Sequence, residues 1–141
     1  MAGRVKIDIR QLKEFEKNVR KLSDKQLEET CIRAITEIAG RYLRAVSPLT
    51  PVGEYTDGRV GGTLRRGWEG IDIVVKKVGT NYVIELENDV KYASYVNYGH
   101  RTRNGGWVEG RFFAEVAAEQ IERQQRSIVE RQVLNTLRGV F

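Results

Sequence analysis

The spacing of apolar residues changes several times along the chain, and each change marks a predicted element. Val5, Ile7 and Ile9 alternate with polar residues, as is typical of a short strand. From Ile9 onward the apolar residues recur every three or four positions, which predicts a first helix over about residues 8–22 with Asp8 as its N-cap. The chain is therefore expected to begin with an extended segment that passes directly into a helix.

The strongest amphipathic pattern runs from about residue 24 to residue 46 and predicts a long second helix. Its apolar residues fall on one face. They are Leu27, Cys31, Ala34, Ile35, Ile38, Tyr42, Leu43 and Val46. Arg33, Glu37 and Arg41 follow at a spacing of four on the opposite face, where they can pair along the helix for about 0.2–0.5 kcal/mol each. Pro48 is predicted to end the helix, because the residue before a proline avoids helical geometry.

Two strand patterns then predict an antiparallel hairpin, or a small sheet, packed on the long helix. Apolar and polar residues alternate over residues 71–76 and again over residues 82–87, and Gly79-Thr80-Asn81 supplies turn chemistry between them. An earlier start of the first strand, at Leu64, would place Trp68 at a twist or bulge. One face of the hairpin is expected to cover the apolar face of the long helix.

The C-terminal part of the chain predicts further helices. Residues 92–98 fit either a short helix or a third extended segment, and the three-to-four spacing of their aromatic residues favours the helix. A long last helix is expected over about residues 111–137, and its entirely polar middle, residues 122–126, predicts that its far half projects from the body. Together these patterns predict a single α+β domain over residues 1–141.

Two glycine-rich stretches separate these elements and are predicted to be flexible loops. Residues 47–67 hold both prolines and five glycines, and a loop of this length inside a compact domain is usually either functional or disordered until a partner binds. Residues 99–110 form the second loop, within the stretch of the chain that is densest in aromatic, glycine and arginine residues. Loops of this composition contact a partner more often than they pack inside.

Composition narrows the class of protein. The chain has 141 residues, of which 40% are hydrophobic and 30% charged, as is typical of a globular domain. Apolar runs fall well short of the ~20 residues that a membrane span needs. The N-terminus lacks an apolar signal region, so we expect no secretion. The single cysteine excludes an internal disulfide and fits a reducing compartment.

The sequence offers little for catalysis. Cys31 is the only cysteine and His100 the only histidine, whereas a zinc site needs about four ligands. Cys31 lies on the apolar face of the long helix and is expected in the core. Residues 58–67 are rich in glycine but lack the residue order of a phosphate-binding loop. We therefore expect no enzyme activity, no metal and no cofactor.

A net charge of +5 permits contact with nucleic acid without establishing it. Arginines can contact phosphates, and Tyr98 and Trp107 can stack on bases. The other interpretation is that the arginines pair with acidic residues of a neighbouring subunit. The candidate residues for a subunit interface or a channel lumen are Arg59, Arg65, Arg66, Tyr98, His100, Arg101, Arg103, Trp107 and Phe112.

Four short motifs follow one another in order along the chain. They are Thr50-Pro51-Val52-Gly53, Gly62-Thr63-Leu64-Arg65, Tyr92-Ala93-Ser94-Tyr95-Val96-Asn97-Tyr98-Gly99 and Arg111-Phe112-Phe113. With the helices and the hairpin, their order and spacing over about residues 7–137 resemble the neck or tail-component family of tailed bacteriophages and prophages. Asn97 stands where that family often has an acidic residue, and His100 stands where it often has threonine.

The resemblance implies a non-enzymatic structural protein of the virion neck, built in the cytoplasm of the bacterial host. It implies a homo-oligomeric ring, six-fold to match the tail, that takes part in head–tail joining and surrounds the DNA channel. The implied partners are further copies of the chain, the adjacent head-closure and tail proteins, and DNA in the lumen as a non-specific contact, with no membrane. The alternative is a small basic DNA-binding module.

Overall fold

The computed structural model describes residues 5–8, 24–54 and 56–140. In chain order the elements are β1 Val5–Asp8, α1 Asp24–Leu49, α2 Thr63–Arg66, β2 Val75–Val78, β3 Asn81–Asn88, α3 Ala93–Tyr98, β4 Gly99–Arg101, β5 Trp107–Glu109 and α4 Phe113–Val140. The described residues form a three-stranded sheet in the order β1-β3-β2 and a two-stranded sheet of β4 and β5. The predicted α+β class is confirmed, and one long helix precedes the central strands in the chain while another follows them.

The N-terminal predictions are only partly covered by the described residues. Residues Val5 to Asp8 form β1, as the alternating pattern indicates, and Asp8 pairs with Glu85 of β3. Asp8 is thus the last residue of a strand, and its predicted capping role depends on residues that the structure does not describe. The rest of the predicted first helix, residues 9–22, lies outside the described residues.

Helix α1 buries the apolar face that its sequence predicts. Cys31, Ile35, Ile38 and Val46 are almost completely buried, and each fully buried aliphatic side chain contributes about 1.5–3 kcal/mol. The prediction that Pro48 ends the helix is wrong, because α1 continues to Leu49. The residue that follows this last turn satisfies its carbonyl groups: the backbone N and the Oγ1 of Thr50 both donate to Val46 O, at 3.0 and 2.7 Å.

Strand β3 is the centre of the larger sheet and supplies its core residues. Tyr82, Ile84 and Leu86 are buried, and the β2–β3 turn begins at Gly79, whose φ of 63° is in the left-handed region. The hairpin is thus confirmed, but its first strand was predicted too early. Strand β2 covers Val75–Val78 instead of residues 71–76.

The first strand does not start at Leu64, because residues 63–66 form a helical turn, after which Trp68 points into the core. Gly67 N donates to Thr63 O at 3.0 Å, and Trp68 then enters the core instead of lying at a bulge. Its indole ring meets the rings of Tyr42 and Phe113 edge to face, with centroids 6.1 and 6.4 Å apart. Trp68 therefore joins α1, the segment after α2, and the start of α4.

The stretch from residue 47 to 67, predicted as a loop, is partly helical and is anchored by buried polar groups. Trp68 Nε1 donates to the buried Thr50 Oγ1 at 2.9 Å. Asn88, fully buried at the end of β3, donates through Nδ2 to Leu64 O at 2.8 Å and accepts from Val90 N at 3.1 Å. These bonds satisfy polar groups that would otherwise be costly inside a core.

Helix α4 packs along α1 over most of its length, so the prediction that its far half projects from the body is wrong. Ile128 and Val129 are buried beyond the polar middle of the helix. Arg131 forms an ion pair with Glu37 of α1, and Thr136 Oγ1 lies 2.6 Å from Thr30 Oγ1. Polar residues of α1 that were predicted to pair along their own helix instead reach across to α4.

The polar middle of α4 belongs to the same contact. Arg41 Nη1 donates to Gln124 Oε1 at 2.8 Å, and Arg33 Nη2 donates to Thr136 Oγ1 at 2.9 Å. A polar stretch in one helix predicts that this part projects from the body, because the sequence does not show the polar face opposite it. In the part of the chain that the structure describes, neither long helix has the apolar character that a bilayer crossing requires.

The packing of the far half of α4 has a direct test in Ile128→Ala. Ile128 is 1% exposed, so its truncation should lower the free energy of unfolding by about 2–5 kcal/mol. Ile32→Ala is the matched control, since Ile32 on α1 is 37% exposed and should lose much less. Urea denaturation followed by circular dichroism measures both. Equal small losses would mean that the far half of α4 is not packed.

Candidate functional site

The stretch from residue 91 to 113 forms a short helix followed at once by a β-hairpin. Helix α3 is confirmed as the sequence favoured. The predicted loop over residues 99–110 is instead the β4–β5 pair, with Gly99 opposite Glu109, His100 opposite Val108 and Arg101 opposite Trp107. Thr102 closes its turn, because its backbone N donates to Gly106 O and its Oγ1 accepts from Gly106 N, both at 2.9 Å.

Gly99 lets the hairpin start immediately after α3. Its φ of 88° is a conformation that other residues rarely adopt. A Cβ at this position would lie 2.5 Å from Val108 O and 2.9 Å from Gly110 N. The two strands therefore approach each other at a point where only glycine fits, and this contact fixes the hairpin against the end of the helix.

Asn97 connects the end of α3 to the start of α4 and is fully buried. Its Oδ1 accepts from Ala114 N at 3.1 Å, one of the first amides of α4, which have no partner within the helix. Its Nδ2 donates to Glu115 Oε2 at 2.9 Å, and its backbone O accepts from Phe112 N at 2.9 Å. The amide has both a donor and an acceptor to offer, and this position uses both.

Among the residues that the structure describes, Phe112 is the one residue other than glycine with a left-handed backbone, at a φ of 49°. Such a conformation costs about 1–3 kcal/mol in a non-glycine residue, and it persists only where neighbouring contacts hold it. Here Phe112 N is bonded to Asn97 O, and Phe112 O accepts from Val116 N at 3.0 Å. Its ring is 46% exposed, so the strained residue presents a large apolar side chain to solvent.

The hairpin and α3 expose further apolar side chains. Tyr95, Tyr98, Trp107 and Val108 are between 43% and 56% exposed. Directly opposed residues of an antiparallel pair share a face, so Val108 lies with His100 on one face, and Trp107 lies with Arg101 on the other. We use the name hairpin surface for His100, Arg101, Trp107 and Val108 together with Tyr95, Tyr98 and Phe112.

His100 and Tyr98 each have a neighbouring side chain within the protein. The His100 ring meets Tyr95 edge to face, with centroids 5.8 Å apart. Its Nδ1 is buried without a hydrogen-bond partner among the described residues. Partial burial, and then the nearby Glu115 carboxylate, raise the pKa of Tyr98. Tyr98 therefore stays a neutral hydroxyl well above physiological pH.

The arginine candidates divide into two groups. Arg65 donates to Thr50 O at 2.8 Å and to Pro48 O at 3.2 Å, and Arg66 donates to Gly61 O at 3.1 Å. Arg59 forms an ion pair with Asp57 at 2.8 Å, and its hydrogen bonds lower the pKa of that carboxyl. These three guanidinium groups bond to the segment between α1 and α2 or to the end of α1.

Arg101 and Arg103 form the second group, and they are exposed on the hairpin. In residues 24–54 and 56–139 no side chain pairs with either of them. The structure thus brings together six of the nine candidate residues within one hairpin and its flanks, and it places Arg59, Arg65 and Arg66 elsewhere in the chain. Their functional roles stay predictions.

Sequence reasoning missed two features of the site. Asn97 is its structural anchor, a role that its place on a predicted helix does not indicate. A cavity of about 300 Å³ also lies between the segment before α2 and the flank of α3, lined among others by Val52, Gly62, Tyr92 and Arg111. Spacing alone gives no signal for either, since both depend on segments that are distant in sequence.

A comparison with protein families gives a match over residues 13–99, to the family described as Bacteriophage HK97-gp10, putative tail-component. The chain belongs to this HK97 gp10-like family. The family resemblance drawn from the sequence is thereby confirmed, and a structural role as a phage tail component follows from it. The match ends at Gly99, so most of the hairpin and all of α4 lie beyond it.

No curated protein and no solved structure matches the chain. The described residues contain no group of histidine, cysteine, aspartate and glutamate side chains that could hold a metal ion. Cys31 is buried among aliphatic residues, far from solvent, as the sequence predicts for a core residue. For this HK97 gp10-like protein, the hairpin surface is the candidate site for contact with a partner.

The role of Asn97 can be tested with Asn97→Asp, which keeps the shape and the acceptor but loses the donor. A carboxylate beside Glu115 also places two like charges together, so we expect the free energy of unfolding to fall by about 3 kcal/mol. Asn135→Asp, on the exposed side of α4, is the control and should change stability by less than about 0.5 kcal/mol. If both variants unfold at the same urea concentration, the donor bond to Glu115 contributes nothing.

Proposed function

We propose that this protein forms a ring in the neck of a tailed phage or prophage particle, where it helps to join the head to the tail around the DNA channel. One observation carries this proposal beyond family membership. A rigid hairpin, closed by Gly99 and anchored through Asn97, displays Trp107, Phe112 and Val108 to solvent. Exposed apolar groups of this size on a fixed element are typical of a protein interaction site.

The composition of the hairpin surface supports a protein contact. Aromatic and arginine side chains are enriched among the residues that dominate interface energies. Because the hairpin is held by backbone and buried side-chain bonds, it loses little conformational freedom when a partner covers it. A head-to-tail contact between identical subunits closes into a ring when its rotation divides a full turn, as the six-fold tail symmetry would require.

The same surface supports a second candidate, a DNA-binding module. Arg101 and Arg103 are free to contact phosphates, and Trp107 beside them can stack on a base. A DNA-binding module would have an affinity for free DNA that falls steeply as the salt concentration rises. With several phosphate contacts, a severalfold rise in salt concentration would lower the affinity by roughly tenfold or more. A subunit of a neck ring is expected to bind free DNA weakly at physiological salt.

Electron microscopy of particles made without this protein tests the proposed function. The gene is deleted from the source phage or prophage, and the lysate is compared with one in which the gene is supplied on a plasmid. Filled heads lying apart from finished tails, with joining restored by the plasmid, are the expected result. Intact and infectious particles in the deletion lysate would rule out the neck role.

Trp107→Ala on the complementing plasmid tests the hairpin surface. Trp107 is 56% exposed, so the variant should fold normally, yet loss of an aromatic anchor should weaken assembly by about 2 kcal/mol or more and lower the yield of joined particles. Val78→Ala is the control, because Val78 is 61% exposed on β2, away from the hairpin. A normal yield of joined particles with Trp107→Ala would count against an interface role for this residue.

A further inference from the structure

A second surface of the molecule has the opposite charge to the hairpin. It surrounds a cavity of about 530 Å³ beside the segment that leads from α2 to β2. The charged residues of its lining are Glu69, Asp72, Glu85, Glu87, Asp89 and one lysine, Lys76. Among the described residues, acidic side chains therefore outnumber basic ones in the lining of this cavity, although the chain as a whole carries a net charge of +5.

Three exposed residues of this lining, Glu69, Asp72 and Val74, lie between α2 and β2, and we call them the acidic edge or the Glu69–Asp72–Val74 edge. Exposure alternates along the segment: Ile71 and Ile73 pack against the core, whereas Asp72 and Val74 face solvent, Val74 with 58% of its surface exposed. In residues 24–54 and 56–139 neither Glu69 nor Asp72 has a hydrogen bond or ion pair through its side chain. The edge thus combines two unpaired negative charges with an exposed aliphatic side chain.

The hairpin combines the matching groups. Arg101 and Trp107 stand directly opposite each other in the β4–β5 register, so their side chains share one face, and Arg103 follows in the turn. Between residues 99 and 111 the sequence has three arginines and one glutamate. This face and the adjoining turn therefore offer two positive charges, unpaired within residues 24–54 and 56–139, near an exposed aromatic ring, which complements the charge and the apolar character of the Glu69–Asp72–Val74 edge.

We propose that the Arg101–Trp107 face of the hairpin docks on the Glu69–Asp72–Val74 edge of a second copy of this chain. This contact would be the subunit interface of the ring, so the inference rests on the proposed function. Trp107 would cover Val74, and Arg101 and Arg103 would pair with Asp72 and Glu69. Arginine suits such a contact because its planar group can bond to a carboxylate through two donors.

Two features favour a second copy as the occupant. The hairpin and the acidic edge share no residue and belong to different segments, so one copy can offer its hairpin to one neighbour and its edge to another. A contact of this kind repeats from copy to copy and closes into a ring. DNA would satisfy the hairpin but would be repelled by the acidic edge, which would then have no partner of its own.

Paired charge reversals test the contact. One variant carries Arg101→Glu with Arg103→Glu, and the other carries Glu69→Lys with Asp72→Lys; all four side chains are exposed, so both variants should fold. Sedimentation velocity of the purified full chain, over a wide concentration range, measures self-association. Each variant alone should associate about 100-fold more weakly than the wild type, because like charges then face each other.

The decisive arm is the mixture of the two variants. The reversed hairpin of one variant matches the reversed edge of the other, and the unchanged hairpin and edge also match, so an equimolar mixture should recover association. The chain carrying all four substitutions should recover it too. Arg123→Glu with Arg138→Glu, two exposed residues of α4, makes the same change in net charge as the hairpin variant and should leave association unchanged.

Three results would overturn the inference. They are a wild-type chain that stays monomeric throughout the range, reversal variants that associate like the wild type, and a mixture that does not recover. If the hairpin variant instead loses salt-sensitive binding to a DNA duplex while self-association is unchanged, DNA is the occupant of the hairpin and the inference fails. None of these results decides whether the protein forms a ring in the neck. Electron microscopy of the particles made without the protein tests that separately.

Discussion

The buried amide of Asn97 is the interaction on which the exposed hairpin depends. It accepts from the first turn of α4, donates to Glu115, and through its backbone oxygen holds Phe112 in a left-handed conformation. Because α4 is itself packed along α1, the hydrogen bonds of Asn97 fix the position of the hairpin relative to the two long helices.

The rest of the fold is stabilised around a second point, the Trp68 indole. Its ring packs between Tyr42 and Phe113, and its Nε1 is bonded to Thr50 beyond the end of α1. Arg65 donates to the Thr50 carbonyl from the other side. The segment from Thr50 to Trp68 is therefore anchored to the core, and Glu69, Asp72 and Val74 follow directly after this anchor.

Elements that bury one continuous face were predictable from the sequence, and contacts between distant segments were not. The apolar face of α1 and the alternation of β3 identify those elements, because burial imposes a period on local sequence. The end of α1 and the packing of α4 were wrong, since Thr50 and the polar residues Glu37 and Arg41 find partners that periodicity cannot show. For the site, composition located the hairpin residues, whereas Asn97 and the strand pairing of Gly99 required the fold.

In the proposed ring, the hairpin surface, exposed in the free chain, is covered by neighbouring subunits in the particle. Oxidative footprinting of the purified chain and of intact particles measures this at Trp107, with Val60, which is 78% exposed on the segment before α2, as a second probe. We expect rapid oxidation of Trp107 in the free chain and strong protection of Trp107 in the particle. Equal oxidation of Trp107 in both samples would contradict it, because the hairpin would then face solvent in the finished virion.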